Sequence, residues 1–423
     1  MVLDRSKAPE FQIPENITLQ NPIKRTLQNG VHLYFIPTPD IDAIRLEINT
    51  DTQRSLNIID KKLTSFFTLN MIMEGTKEKS ALELDDFFDH YASEVEVSSG
   101  FENNSISLLT TKKHFANVFP VFRSLLTEAV FPEKELAKRK SQKALSISLQ
   151  REQNGARASQ LFRKQLFGEN HPYGLISDES DVEIITREDL QYYYENSLWF
   201  NPEIFLTGNV EEKELDMIAE LLGSIEVSFT EREYPLFSNI TKERLYEVKE
   251  KSLQSTIRIG CHLIPKNHPD YHALSVFNTI LGGYFGSRLI KNIREEKGHT
   301  YGIYSSIGSL KNADYWVVMA DVQKQYLNEV IIEIYKEIEL LKTELVGSDE
   351  LETVRNYMIG NFLSNFSSAF DLIGRFKSIH QAGMNQNFYY EKLNFIRNFT
   401  AKDIFEVGQK YFHKSDMVEV MVG

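Results

Sequence analysis

One order of secondary-structure elements is written twice along this chain, and that repetition restricts its fold more than any local motif. In the first half, Val31-Leu33-Phe35 and Ile44-Leu46-Ile48 alternate with polar neighbours, the period-two pattern of strands. A helix is expected over Lys62 to Met73. An amphipathic one follows, with Leu84, Phe87, Phe88 and Tyr91 at helical spacing. Strands are expected at Glu94–Ser99 and Ser105–Thr110, then a helix with Phe115, Val118, Phe119, Phe122, Leu125 and Leu126 on one stripe. Pro132 suits the start of a longer helix.

The second half repeats the order. A strand over Thr256–Leu263 precedes a helix from Asp270, placed to act as N-cap, to Leu281. A short helix around Arg288–Arg294 leads to strands at Tyr301–Ile307 and Tyr315–Asp321. Another helix carries Leu327, Val330, Ile331, Ile334, Ile338 and Leu341 on one face. Phe131-Pro132-Glu133 and Val346-Gly347-Ser348 open the long helical regions of the two halves at an offset of 215 residues (346 − 131). The expected fold is α+β: two homologous α/β-roll domains, each a mostly antiparallel sheet packed with helices on one face. The expected divisions are 1–227, a polar linker at 228–241, and 242–423.

Composition agrees with two filled cores, at 42% hydrophobic and 12% aromatic residues in 423. A net charge of −13 argues against nucleic-acid binding, since phosphate would be repelled. Cys261 is the single cysteine, so no internal disulfide can form, and its alternating surroundings predict a buried strand thiol. No window approaches the ~18 apolar residues of a membrane span, and the first residues show no apolar leader core. A cytoplasmic, non-membrane protein is the expectation.

The segment Leu281-Gly282-Gly283-Tyr284-Phe285-Gly286-Ser287-Arg288-Leu289 continues to Arg294 and Tyr301, an arginine and a tyrosine seven residues apart. Its glycines lack a following Gly-Lys-Ser/Thr and come after a helix, so a bend between packed helices is expected and a phosphate loop is not. The segment resembles the second-domain signature of the insulinase-type (pitrilysin-like) zinc peptidases. The resemblance implies that Arg294 and Tyr301 hold the carbonyl region of an extended peptide while zinc on another domain cleaves it.

In that family the first domain carries an H-x-x-E-H helix, whose two histidines ligate zinc and whose glutamate acts as general base. Gly75-Thr76, followed by Lys77 and Ser80, matches what comes after this motif. Counting back places Phe66, Leu69 and Asn70 at the three positions. A further ligating glutamate belongs near Ser146 or Ile147, anchored by Arg151-Glu152-Gln153-Asn154 and His171-Pro172-Tyr173-Gly174. None of these side chains replaces the ligand it stands for. The ten histidines offer one pair four apart, His268 and His272, and Pro269 between them prevents a shared helical face.

No metal or other cofactor is therefore expected on this chain. Half-length members of the family resemble one another as pairs, as in mitochondrial processing peptidase. The resemblance implies a zinc-lacking subunit whose partner is a homologous H-x-x-E-H chain carrying the zinc, with Arg294 and Tyr301 acting in trans. A structural or peptide-binding protein, like the core subunits of the respiratory cytochrome bc complex, is the alternative. A stand-alone metallopeptidase has no mechanism without ligands.

Overall fold

The computed structural model of the protein describes residues 19–52, 61–230 and 244–423. Most of the expected linker at 228–241 lies outside them. The first half runs β1 (Ile23–Thr26), β2 (His32–Pro37), β3 (Ile44–Asp51), α1 (Thr64–Met71), α2 (Ala81–His90), β4 (Glu94–Ser99) and β5 (Asn103–Thr110). It continues with α3 (Lys112–Thr127), α4 (Glu133–Glu152), α5 (Asn154–Phe167), α6 (Glu179–Glu183), α7 (Arg187–Asn196), β6 (Glu203–Gly208) and α8 (Glu212–Gly223). The second half begins with β7 (Leu245–Glu247), β8 (Gln254–Leu263) and α9 (Tyr271–Asn278), then two π-helical turns, Thr279–Gly283 and Ile290–Glu296. After these come β9 (Thr300–Ser309), β10 (Asp314–Gln323), α10 (Leu327–Thr343), α11 (Ser348–Ser364), α12 (Ala369–His380), α13 (Asn387–Asn398), α14 (Ala401–Tyr411) and β11 (Val418–Val422).

The strands form a six-stranded sheet, β1-β2-β6-β3-β5-β4, and a five-stranded sheet, β7-β11-β8-β10-β9. Each is antiparallel except for one pair, β2 with β6 and β7 with β11. The offset seen at Phe131 and Val346 extends far beyond that landmark. Helices α3 and α10, α4 and α11, α5 and α12, and strands β6 and β11 all begin 215 residues apart. One core gathers Phe115, Phe119 and Phe122 of α3 with Leu46, Ile106 and Leu108 of the first sheet. The other gathers Val330, Ile334 and Leu341 of α10 with Ile257, Ile259 and Trp316 of the second. Cys261 is buried there and forms no disulfide.

Each half also gives one helix to the other's sheet. Ala158, Leu161, Phe162 and Phe167 of α5 pack on Val317, Val418, Val420 and Val422 of the second sheet. Ile373, Leu372 and Phe376 of α12 pack on Tyr34, Ile36 and Phe205 of the first. Each sheet therefore has its own helices on one face and a borrowed helix on the other. Two charge pairs and a hydrogen bond fasten both exchanges: Arg157 of α5 with Glu247 (2.8 Å), Lys377 of α12 with Glu47 (2.6 Å), and His380 Nε2 with Glu203 (2.6 Å). Between the hairpin tips, both carboxylate oxygens of Glu102 accept from the Lys311 backbone N–H at 2.9 Å.

The Glu47 pair makes the fold sensitive to acid. Burial would raise the Glu47 pKa, but the Lys377 ammonium and hydrogen bonds from Lys377, Ser105 and Asn49 outweigh it and hold the carboxyl below its ordinary value. A carboxylate depressed in the folded state contributes stability above its unfolded pKa and loses it as pH falls through the folded one. Glu47→Gln is expected to cost about 2 kcal/mol at neutral pH, the order of hydrogen bonds to a charged group. That cost should shrink toward zero below the folded pKa of Glu47. Denaturant melts of both proteins across pH measure it.

Two local expectations need correction. Asp270 stands at the N-cap position of α9, but its side chain makes no cap hydrogen bond. Its carboxylate instead accepts from Lys410 Nζ (2.6 Å) and Tyr411 Oη (2.5 Å) of α14. The helix expected to run on to Leu281 ends at Asn278, and its continuation is π-helical. Gly282 of that turn lies against β9, where a Cβ would come within 2.6 Å of Ser305 N. The bend is a glycine-permitted close approach of helix to strand.

Candidate functional site

Helix α1 shows what became of the three positions aligned with the zinc motif. Leu69 is fully buried in the first core. Phe66 and Asn70, one turn apart on a single face, are partly exposed. Asn70 Nδ2 donates to the Phe66 carbonyl at 2.8 Å, which uses its amide within the helix. The Phe66 ring meets Phe67 edge-on at 5.4 Å, and the Lys143 ammonium of α4 stands over it at 3.9 Å. One turn earlier on α4, Arg139 Nε donates to Glu74 at 2.6 Å, just beyond α1. Further along α4, Ile147 is buried and Ser146 is half-buried.

Where a zinc centre would need a carboxylate from α4, this chain presents the Lys143 ammonium to Phe66 of α1. A divalent ion placed there would be repelled, and the ring and amide it met would supply no metal-binding lone pair of consequence. Among the described residues, no group of three or more His, Cys, Asp or Glu is placed to hold a metal. His268 and His272 diverge. His268 Nδ1 accepts the Asp270 N–H at 3.1 Å, while the His272 ring packs on Phe388 at 4.9 Å. Burial and the Lys392 charge push His272 down to about 4.

Arg294 and Tyr301 are presented quite differently. Arg294 lies in the π-helical turn Ile290–Glu296, anchored by buried Ile290 and Ile293. Asn292 fixes the turn by donating to Glu337 (2.6 Å) and Glu333 (2.9 Å) of α10 while accepting from Lys297 Nζ (2.6 Å). Gly298, at φ +68, reverses the chain in the left-handed region that favours glycine. His299 then stacks on Tyr326 at 4.0 Å, and its backbone N–H donates to the Ile293 carbonyl at 3.0 Å.

From this fixed turn the chain enters β9, the edge strand of the second sheet. Tyr301 is 89% exposed. The Arg294 guanidinium lies over the Phe285 ring at 4.9 Å. Among the described residues, neither Arg294 nor Tyr301 has a hydrogen-bonded or ion-paired side-chain partner. A rigid frame thus carries two unspent donors, a guanidinium fork and a phenol, beside a strand edge whose main chain is open on one side. Such a set can hold an extended peptide and stabilise negative charge on a carbonyl oxygen. The sequence pattern located the arginine and tyrosine. It did not reveal the Asn292 hub, the ring of Phe285 under Arg294, or Lys143 over Phe66, because each depends on packing between elements.

Comparison with known proteins finds relatives in sequence and in fold. Residues 185–358 match the family described as Peptidase M16 inactive domain. The chain is 25% identical over 354 residues to an uncharacterized zinc protease YmxG of Bacillus subtilis, covering 82% of this chain and 85% of that one. It is 21% identical over 359 residues to a non-peptidase homolog YmxG of Helicobacter pylori, covering 83% and 82%. In fold it is similar to the crystal structure of a peptidase M16 inactive domain from Pseudomonas fluorescens. That match has a TM-score of 0.85 at 19% identity and covers 96% of this chain and 98% of the other. Residues 185–358 are those of the family described as Peptidase M16 inactive domain, and the chain as a whole is similar to M16 proteins in sequence and in fold.

Proposed function

We propose that this chain is the zinc-lacking subunit of a two-chain M16 peptidase and lends Arg294 and Tyr301 to the active site of a homologous zinc-bearing partner. The observation that carries the proposal is the contrast between the two sites. Phe66, Leu69 and Asn70 are absorbed into helix packing, whereas Tyr301 is 89% exposed and Arg294 keeps its guanidinium free of any carboxylate among the described residues. The partner's H-x-x-E-H helix would supply metal and general base. This chain would supply the grip on the substrate backbone and donors for the oxyanion. A cytoplasmic location belongs to the same proposal, motivated by a chain whose single cysteine, Cys261, is buried and forms no disulfide. No helix among the described residues is long and apolar enough to cross a membrane.

The test combines the chain with its zinc-bearing homologue and follows cleavage of a quenched peptide. Activity of the mixture should exceed that of the partner alone, and the Arg294→Ala/Tyr301→Phe double variant should lose that gain. Undiminished activity in the double variant would sink the proposal. The open edge of β9 favours one second reading, a peptide holder without a catalytic role. Calorimetry with unstructured peptides and no partner separates the two, because a holder binds on its own.

A further inference from the structure

Tyr301 stands on the opposite side of β9 from the one that strand periodicity assigns to it. Side chains along a strand alternate between the two faces. Ser305 and Ile303 are both buried, and strict alternation would carry Tyr301 inward with them. Tyr301 is exposed instead.

The pairing of β9 with β10 accounts for the change. Ile303 faces Ala320 and Thr300 faces Val322, so two residues of β9, Tyr301 and Gly302, stand opposite the single residue Asp321. Two against one is the count of a β-bulge, which bends its strand and re-aims the side chains on it. The bulge is held by a hydroxyl. Thr300 Oγ1 accepts the Gly302 N–H at 3.1 Å, and its own proton is within reach of the carbonyl oxygens of Asp321 (2.6 Å) and Gly302 (2.9 Å). Asp321 is fixed from behind, where its carboxylate accepts from the hydroxyl of Thr256, its register partner on β8. At the second bulge position a Cβ would lie 2.9 Å from Tyr304 Oη and 3.0 Å from Tyr304 Cε2, so glycine leaves room for that ring along the strand. This clasp is separate from the Asn292 contacts that fix the turn carrying Arg294.

We propose that Thr300 is a positioning residue, whose hydroxyl clasps the Tyr301-Gly302 bulge and so turns the Tyr301 phenol out of the buried face of the sheet toward a peptide at the edge of β9. The proposal rests on the reading of Tyr301 as a group that grips substrate. Valine has the shape of threonine without its hydroxyl, and at position 300 it would leave the Gly302 N–H and the Asp321 carbonyl without this partner. The bulge would then lose its fixed geometry while the apolar packing around it stayed the same. An oxyanion donor acts only from a defined position, so the loss belongs in kcat more than in KM.

Two readouts on the full chain test this. The first labels the tyrosines with 3-fluorotyrosine and follows the fluorine resonance of Tyr301, assigned by its disappearance in Tyr301→Phe. Thr300→Val should move that resonance, and Thr300→Ser, which keeps the hydroxyl, should restore it. The second adds the zinc-bearing homologue and a quenched peptide. There Thr300→Val should lower kcat about tenfold to a hundredfold with little change in KM, and Thr300→Ser should recover most of the loss. Thr300→Ala takes the place of the valine variant should that one fail to fold. A Tyr301 resonance unmoved by loss of the hydroxyl would overturn the proposal. So would full activity in Thr300→Val where Tyr301→Phe is impaired. A resonance that moves while Tyr301→Phe itself keeps full activity would uphold the clasp and count against the peptidase reading instead.

Discussion

Replacing Arg294 with alanine is expected to lower kcat/KM of the proposed two-chain peptidase by about 10²–10³-fold, the range found for loss of one oxyanion donor. Tyr301→Phe should cost a similar factor. Both losses should appear mainly in kcat, because charge on the carbonyl oxygen develops in the transition state and is small in the bound substrate. Neither change should unfold the subunit. Tyr301 is 89% exposed, and the frame around Arg294 rests on Asn292, Glu337 and Ile293. Arg294→Lys should rescue poorly, since an ammonium lacks the planar fork. A rise in KM alone, or a drop in activity that follows lost folding, would mean that these residues do not act on the transition state.

The largest loss of stability is expected at Gly260, in the strand that carries α5. There a Cβ would lie 2.0 Å from the Trp316 carbonyl oxygen and 2.8 Å from Phe162 Cζ. The first atom belongs to the neighbouring strand β10 and the second to the helix lent by the first half, so a new methyl is trapped between backbone and borrowed helix. The ring of Phe162 can shift, but the Trp316 carbonyl cannot move without breaking the β8–β10 register. Gly260→Ala should therefore destabilise the chain by about 3 kcal/mol, at the upper end for overpacked cores. Phe162→Ala in the same background should recover only part of it. Equilibrium denaturation of both variants decides the point, and a Gly260→Ala variant as stable as the wild type would show that α5 does not press on the sheet.

These two sites mark what the sequence makes legible and what it hides. Order and spacing of elements are local properties, and they extended to a repeat in which four pairs of elements begin 215 residues apart. The destination of a buried helix face is not local. The apolar stripes of α5 and α12 announce burial, but nothing in them says that each will cover the other half's sheet. That is why Val31-Leu33-Phe35 read as the buried side of a two-faced strand, while Tyr34 and Ile36 are buried as well, under α12. Asp270 failed as a cap for a related reason. Its partners, Lys410 and Tyr411, come from α14, far along the chain. At the candidate site, the seven-residue spacing of Arg294 and Tyr301 and the replaced ligands at Phe66, Leu69 and Asn70 could be read directly. The Lys143 ammonium of α4 over Phe66 could not, because that contact exists only once α1 and α4 pack together.

The account is tested most directly by measuring the zinc content of the purified chain together with its cleavage of a quenched peptide, with no partner present. The chain should carry no stoichiometric zinc and cleave nothing, because the α1 face presents Asn70, its amide bonded within the helix, and Phe66 with Lys143 over its ring. Stoichiometric zinc with chelator-sensitive cleavage would contradict it.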